Sequence, residues 1–222
     1  MANKEAYFTS TNILSLSRRM IRLAAKLHRM RPLALKAGQA ALLLLDLQEV
    51  FLSPQGRAYI PSSAAMMPGL LRLAEGFRRA GRPVIATRHI NTPADVGEMA
   101  NWWRERIDPE GWESRLVPQA AALADEVIPK TQYDAFYFSP LQERLEARGV
   151  RQVVIGGVMA HLCCETTARA AFVRGFEVIF LMDGTASYQK AYHQATALNL
   201  SHGFATLALC ADVLAALQGK DG

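Results

Sequence analysis

The stretch Gln152-Val153-Val154-Ile155-Gly156-Gly157-Val158-Met159-Ala160-His161-Leu162-Cys163-Cys164-Glu165 decides how the chain reads. Gln152–Ile155 is a short apolar strand, and Gly156-Gly157 predicts a turn. Helical periodicity then runs from Cys163 to Arg174 and stops at Gly175, a residue suited to a left-handed helix cap. Downstream the alternation repeats: Val178–Leu181 reads as a strand, Tyr188–Ser201 as a helix, and Ala205–Leu209 as a last strand before a short terminal helix.

Working upstream, the same grammar holds. Ala41–Leu45 is a continuous apolar run, as expected of a central strand covered on both faces. Met66–Ala80 has helical spacing and ends at Gly81, with Pro83 barring further helix. Val84–Thr87 and Glu126–Ile128 read as strands, and Pro140–Arg148 as a helix closed by Gly149. Residues 91–118, with Trp102, Trp103 and Trp112, form a long excursion carrying a short helix. Strands alternating with helices predict an α/β fold, a three-layer αβα sandwich on a mostly parallel, Rossmann-like six-stranded sheet. The 222 residues suit one domain whose core needs neither disulfide nor metal.

Charge divides the chain into two parts. Residues 1–38 carry eight Lys/Arg and one acid, whereas residues 39–222 carry 17 basic and 19 acidic side chains. The basic balance therefore belongs to an N-terminal arm and not to the 39–222 domain, which argues against nucleic-acid binding. Within the arm, Ile13, Leu16, Met20, Leu23, Leu27 and Met30 recur at helical spacing. The expectation is an amphipathic helix docked on its own domain or on a partner subunit; a membrane-surface helix and an Arg-rich presequence are the other readings. No apolar run of about 18 residues predicts a membrane span. Cys163, Cys164 and Cys210 are an odd, sparse set without a zinc-ligand pair, so a reducing, cytoplasmic location is expected.

In open parallel sheets, ligands bind beyond the carboxyl ends of the strands. Asp46, Arg88, His89, Lys130, the Gly156–Cys163 segment and Asp183 all follow predicted strands, and would meet at one rim. Asp46 alone could be a turn cap or a general base, and Lys130 alone could be solvated. Cys163, at the predicted first turn of a helix, would have its thiolate favoured by the helix dipole and free N–H groups, which could also hold an oxyanion. Cys164 and Cys210 read as core. Together, thiol, carboxylate and ammonium suggest nucleophilic attack on a small carbonyl substrate.

Three segments resemble the isochorismatase-like cysteine hydrolases, which include nicotinamidases, carbamoylsarcosine amidases, ureidoacrylate hydrolases and isochorismatases. Leu44-Leu45-Asp46-Leu47-Gln48 with Phe51 is similar to the family's first-strand segment. Lys130 with Ala135-Phe136 and Ser139-Pro140-Leu141 is similar to its lysine segment, and Gly157 through Arg169 to its nucleophile helix. The likeness spans about residues 39–210. It implies an Asp46–Lys130–Cys163 triad, a cis peptide between Val158 and Met159, and an oxyanion hole from the Met159 and Cys163 N–H groups. It further implies substrate contacts from Gln48, Phe51, Phe136 and one of the neighbouring tryptophans, with Trp102 assigned, and a homo-oligomer. Metal-dependent nicotinamidases carry an Asp and several His after the second strand, where this chain has Thr87-Arg88-His89-Ile90-Asn91. No metal and no cofactor are therefore expected, and His89 is assigned to hydrogen-bonding the substrate. Ala160-His161-Leu162 and Ser139-Pro140 resemble true isochorismatases, which cleave a vinyl ether, but those enzymes usually have glycine where this chain has Cys163. The sequence thus implies hydrolysis of a small amide or ureido C–N bond, with vinyl ether hydrolysis and a non-catalytic binding protein as alternatives.

Overall fold

A computed structural model describes residues 4–219. Its elements run in chain order as α1 (Ile13–Ala25), β1 (Ala40–Leu45), α2 (Glu49–Leu52), α3 (Ser63–Arg79), β2 (Val84–His89), α4 (Met99–Trp103), α5 (Pro118–Leu123), β3 (Glu126–Lys130), α6 (Leu141–Ala147), β4 (Gln152–Val158), α7 (Glu165–Val173), β5 (Glu177–Ala186), α8 (Lys190–Gly203), β6 (Thr206–Ala208) and α9 (Cys210–Leu217). The six strands form one sheet in the order β3-β2-β1-β4-β5-β6, and every pairing in it is parallel. Helices α3, α5 and α9 pack together on one face, and α1, α7 and α8 on the other. This is an αβα sandwich. β1 is buried along its whole length, as a strand covered on both faces must be.

Several boundaries differ from the sequence expectation, each for an identifiable reason. Gly156 and Gly157 do not turn the chain; they lie inside β4. Gly157 has φ +120°, and a Cβ there would sit 2.1 Å from the Leu45 carbonyl oxygen, so glycine is what lets β4 close against the end of β1. β3 continues past Ile128 to Lys130, through Pro129, which an edge strand tolerates. β5 continues past Leu181 to Ala186, so Asp183 lies within it and not after it; its carboxylate accepts the Cys210 N–H at 2.7 Å. Arg88 and His89 likewise belong to β2 itself.

The N-terminal arm is built into the domain. Its helix ends at Ala25, earlier than the apolar spacing out to Met30 suggests, and its inward face is Ile13, Ser17, Met20 and Ala24. That face packs on β5 and α8, and Tyr7 and Phe8 ahead of it enter the same apolar core. No helix among the described residues is long and apolar enough to cross a membrane.

Candidate active site

The sheet order reverses between β1 and β4, where the chain stops winding one way and starts winding the other. Such a switch point leaves a crevice beyond the strand ends. Leu45 pairs with Gly157, so Asp46 leaves β1 beside the segment that leaves β4. Asp46 adopts φ 54°, a left-handed conformation that aspartate tolerates better than most residues. Its carboxylate is fully buried and is oriented by β2: the Thr87 hydroxyl donates to Asp46 Oδ1 at 2.6 Å and accepts the Asp46 N–H at 3.1 Å.

Lys130 ends β3, two strands away from β1, a gap of about 10 Å at ordinary strand spacing. The long, unbranched side chain is what crosses it. Its Nζ lies 2.9 Å from Asp46 Oδ2, 3.1 Å from His89 Nδ1, 2.8 Å from the Gln132 carbonyl oxygen and 3.3 Å from Cys163 Sγ. Cys163 arrives from the other side, in a π-helical turn over Ala160–Cys164 that precedes α7. The nucleophile candidate is therefore not in the first turn of an α-helix as the glycine signal suggests, because β4 runs three residues further than expected and the chain turns later. Such π turns recur where a side chain must be aimed at a site. The Val158–Met159 peptide beside it is cis.

Four groups surround an ammonium that has three protons. Its hydrogen bonds go to His89 Nδ1, the Gln132 carbonyl and Cys163 Sγ, while Asp46 Oδ2 at 2.9 Å is held as an ion pair and receives no well-directed hydrogen bond among the described residues. Cys163 Sγ also lies within 4.8 Å of the Asp46 carboxylate, so a thiol, a carboxylate and an ammonium share one buried cluster at rest. Burial opposes ionisation of Asp46, but Lys130 together with the other neighbours outweighs it and holds the carboxyl below its usual range. Burial likewise opposes the charge on Lys130, and Asp46 with Cys163 raises its pKa above the ordinary lysine value. The expected acidic thiol does not appear: burial, then the Asp46 anion, push Cys163 up to about 12 against the pull of Lys130. Cys164 and Cys210 are buried in the core.

His89 is neutral, lowered to about 4 by burial and then by Lys130. Its Nδ1 accepts from Lys130, so the proton is on Nε2 and is donated to Asn91 Oδ1 at 2.9 Å. With both ring nitrogens engaged inside the protein, His89 lines the cavity without a free polar atom for a substrate, contrary to its sequence assignment. The ligand atoms of Asp46, His89 and Cys163 lie within 4.8 Å of one another, but Lys130 Nζ contacts all three. A buried ammonium holds the place a cation would take. Asn91 and Asp95, which follow β2, are satisfied by His89, Thr131 and Thr92. The residues present do not fit a metal ion.

Beyond the sulfur opens a cavity of about 420 Å³, walled by Cys163, Met159, Leu162, Phe51, Trp103 and Tyr133 among others. Three expected wall residues are elsewhere. Trp102 points to solvent at 77% exposure, one helical step from Trp103, whose Nε1–H donates to the Tyr133 hydroxyl at 2.7 Å. Phe136 stacks on Phe176 under the Arg174 guanidinium. Gln48 is buried as a brace: its amide nitrogen donates to the His89 and Ser114 carbonyls and its oxygen accepts the His89 N–H. Thr87, Tyr133, Tyr188 and Lys4 were not legible as site residues, since no local pattern distinguishes them and only the tertiary fold brings them in.

Comparison with known proteins agrees with this fold. The Isochorismatase domain model matches residues 40–212. Nicotinamidase 3 of Arabidopsis thaliana is 37% identical over 186 residues, covering 82% of this chain and 90% of that protein. Ureidoacrylate amidohydrolase RutB of Variovorax paradoxus (strain S110) is 30% identical over 195 residues, covering 73% of this chain and 77% of its own. A cysteine hydrolase from Pseudomonas syringae pv. phaseolicola 1448A superposes with a TM-score of 0.81 at 24% identity, over 87% of this chain and 99% of that one. N-carbamoylsarcosine amidase from Thermoplasma acidophilum superposes with a TM-score of 0.69 at 25% identity, over 78% and 96%. The domain match across most of the chain and the identity to these relatives lead to one conclusion: the chain belongs to the isochorismatase family and is a hydrolase.

Proposed function

We propose that the protein hydrolyses a small amide or ureido C–N bond through a thioester on Cys163. The observation that carries this reading is a cavity-lining Cys163 Sγ within 4.8 Å of the Asp46 carboxylate and 3.3 Å from the Lys130 ammonium. Asp46, ionised at neutral pH, takes the thiol proton as sulfur bonds to the substrate carbonyl carbon. The backbone N–H groups of Met159 and Cys163 receive the developing oxyanion. The C–N bond then breaks, and the nitrogen leaves with the proton that Asp46 returns. Water attacks the thioester while Asp46 accepts its proton; the C–S bond breaks, the proton goes back to sulfur, and the acid departs. Lys130 stays charged throughout and stabilises the carboxylate and the transient thiolate in turn.

A thiol with a pKa near 12 supports concerted transfer, in which sulfur gives up its proton to Asp46 only as it attacks. The names of the nicotinamidase, ureidoacrylate amidohydrolase and carbamoylsarcosine amidase relatives support C–N hydrolysis as the reaction class. Vinyl ether cleavage is less well supported. His161, in the segment resembling isochorismatases, hydrogen-bonds Ser187 and stacks on Tyr192, away from the cavity wall.

The test is a substrate panel of nicotinamide, ureido acids, simple amides and isochorismate, read by ammonia and by pyruvate release. Ammonia release from wild type that is abolished in Cys163→Ala, with an unchanged circular dichroism spectrum, is the expected result. Turnover retained in Cys163→Ala would refute the covalent route, and pyruvate release would replace it with ether chemistry.

A further inference from the structure

The matched family domain begins at residue 40, yet one wall of the catalytic cavity comes from residue 4. Lys4 sits on an extended strap that leads into α1. The strap is tied at every step. The Glu5 N–H donates to the Tyr188 carbonyl at 2.7 Å, and the Glu5 carboxylate accepts the Lys190 N–H at 3.0 Å. Ser62 Oγ receives the Phe8 N–H at 3.1 Å, and the Tyr7 hydroxyl receives the Ser187 N–H at 2.9 Å while bonded to His193. A segment held this way fixes where Lys4 stands.

Lys4 Nζ donates to the Arg57 carbonyl at 3.0 Å and lies 4.9 Å from the centre of the Tyr188 ring. Arg57 and Tyr188 line the same cavity. Among the described residues no carboxylate pairs with Lys4. The other cation on the wall, Arg57, is fully engaged: Nε meets Glu105 at 2.8 Å, Nη1 meets Glu113, and Nη2 donates to the Arg106 carbonyl at 2.7 Å. Glu105, the carboxylate on the wall, is neutralised by that contact. Arg57 thus faces two carboxylates, whereas Lys4 is the cation on the wall with no carboxylate paired to it, in a cavity whose remaining wall is largely apolar.

We propose that Lys4 is a specificity-determining residue whose ammonium reads a carboxylate on the substrate, remote from the scissile bond. An ammonium with no carboxylate of its own protein beside it is suited to one on a ligand. The preferred substrates are then amide or ureido compounds that also carry a free acid group, rather than neutral amides. This rests on the amidohydrolase reading above and adds a residue from outside the matched domain.

The test compares an N-carbamoyl amino acid with its methyl ester, using the full chain and ammonia release. Wild type is expected to favour the acid in kcat/KM by about tenfold or more, the size of a charge-assisted hydrogen bond in a partly buried site. Lys4→Gln is expected to bring the acid-to-ester ratio close to one, and Lys4→Arg to keep it. No preference in wild type, or an equal loss on both compounds in Lys4→Gln, would overturn the proposal. If neither compound is hydrolysed, the reaction class is at fault, and Lys4 is judged by binding alone. Calorimetric titration of Cys163→Ala, with and without Lys4→Gln, then decides: acid-selective binding that needs Lys4 supports it, and equal binding of acid and ester sinks it.

Discussion

Two buried polar clusters sit on either side of β4, and they differ in charge and in whether every acceptor is satisfied. At the β1–β4 crevice, the Lys130 ammonium donates to His89, Gln132 and Cys163 and is ion-paired with Asp46, whose Oδ2 receives no well-directed hydrogen bond among the described residues. Beneath the N-terminal strap, the Tyr7 hydroxyl accepts the Ser187 N–H and so donates to His193 Nδ1; His193 Nε2–H donates to Thr185, and the Thr185 hydroxyl donates to the Leu181 carbonyl. There each donor has one acceptor. His193 is neutral, lowered to about 3 by burial, and nothing in the chain carries charge. The lesson is that burial and hydrogen bonding alone do not mark a reactive site. A charged cluster with one acceptor left open gives a proton somewhere to go, whereas a neutral chain with every group satisfied ties the fold and leaves no such place.

Replacing Asp46 with Asn should break the first cluster most visibly, because that carboxylate has two opposed effects on the sulfur. It is the proposed base, so its loss is expected to cut hydrolysis by about 10²–10⁴-fold. It also raises the thiol pKa by its negative charge, while Lys130 lowers it. Without the carboxylate Lys130 becomes the dominant neighbour, and Cys163 should alkylate faster near neutral pH than in wild type. Asparagine tolerates the left-handed backbone at this position. Turnover and alkylation falling together would mean that Asp46 acts on the sulfur only as a base.

Lys130→Met probes the charge balance of the same cluster. It leaves Asp46 buried without its counter-charge, which is expected to cost about 3–5 kcal/mol in denaturant unfolding. The double variant Asp46→Asn/Lys130→Met removes both charges and is expected to recover a large part of that loss while staying inactive. A double variant no more stable than Lys130→Met would show that the lysine stem's packing, and not its charge, is what the fold requires.

How far such clusters are legible from sequence depends on what carries the signal. Asp46, Lys130 and Cys163 each end or follow a strand, so hydrophobic runs alone place them at one rim, and the sheet order brings them together. Strand ends were less legible. Gly156-Gly157 reads as a turn because glycine's freedom is visible in sequence, whereas the close approach of Leu45 that requires it is not. The thiol's environment was also hidden: a helix start suggests an acidic cysteine, but burial and a neighbouring carboxylate depend on three-dimensional packing. The aromatic wall failed for a simpler reason. Trp102 and Trp103 are adjacent, so a short helix turns one to solvent and the other to the cavity, and only its phase decides which. The arm, read from its apolar spacing as a docked amphipathic helix, also supplies Lys4 to the cavity and Tyr7 to the second cluster; neither has a periodicity of its own to announce it.

The smallest expected effect belongs to that second cluster. Tyr7→Phe keeps the ring, which packs beside Phe8 and edge-on to His193, and removes only the hydroxyl. The Ser187 N–H and His193 Nδ1 are then left buried without their partner, at an expected cost of about 1–3 kcal/mol in unfolding free energy. Because the folded-state His193 pKa is about 3 against an ordinary 6.5, the ring is neutral in both states well above pH 6.5, and the cost should be the same at pH 7.5 and pH 8.5. Below pH 6.5 the unfolded chain binds a proton that the folded chain does not, so stability falls with acid in wild type and variant alike. Alkylation of Cys163 should not change, since no member of this chain touches the sulfur. A Tyr7→Phe variant that loses stability only at lower pH would mean that the hydroxyl opposes protonation of His193 instead of tying the strap to α8.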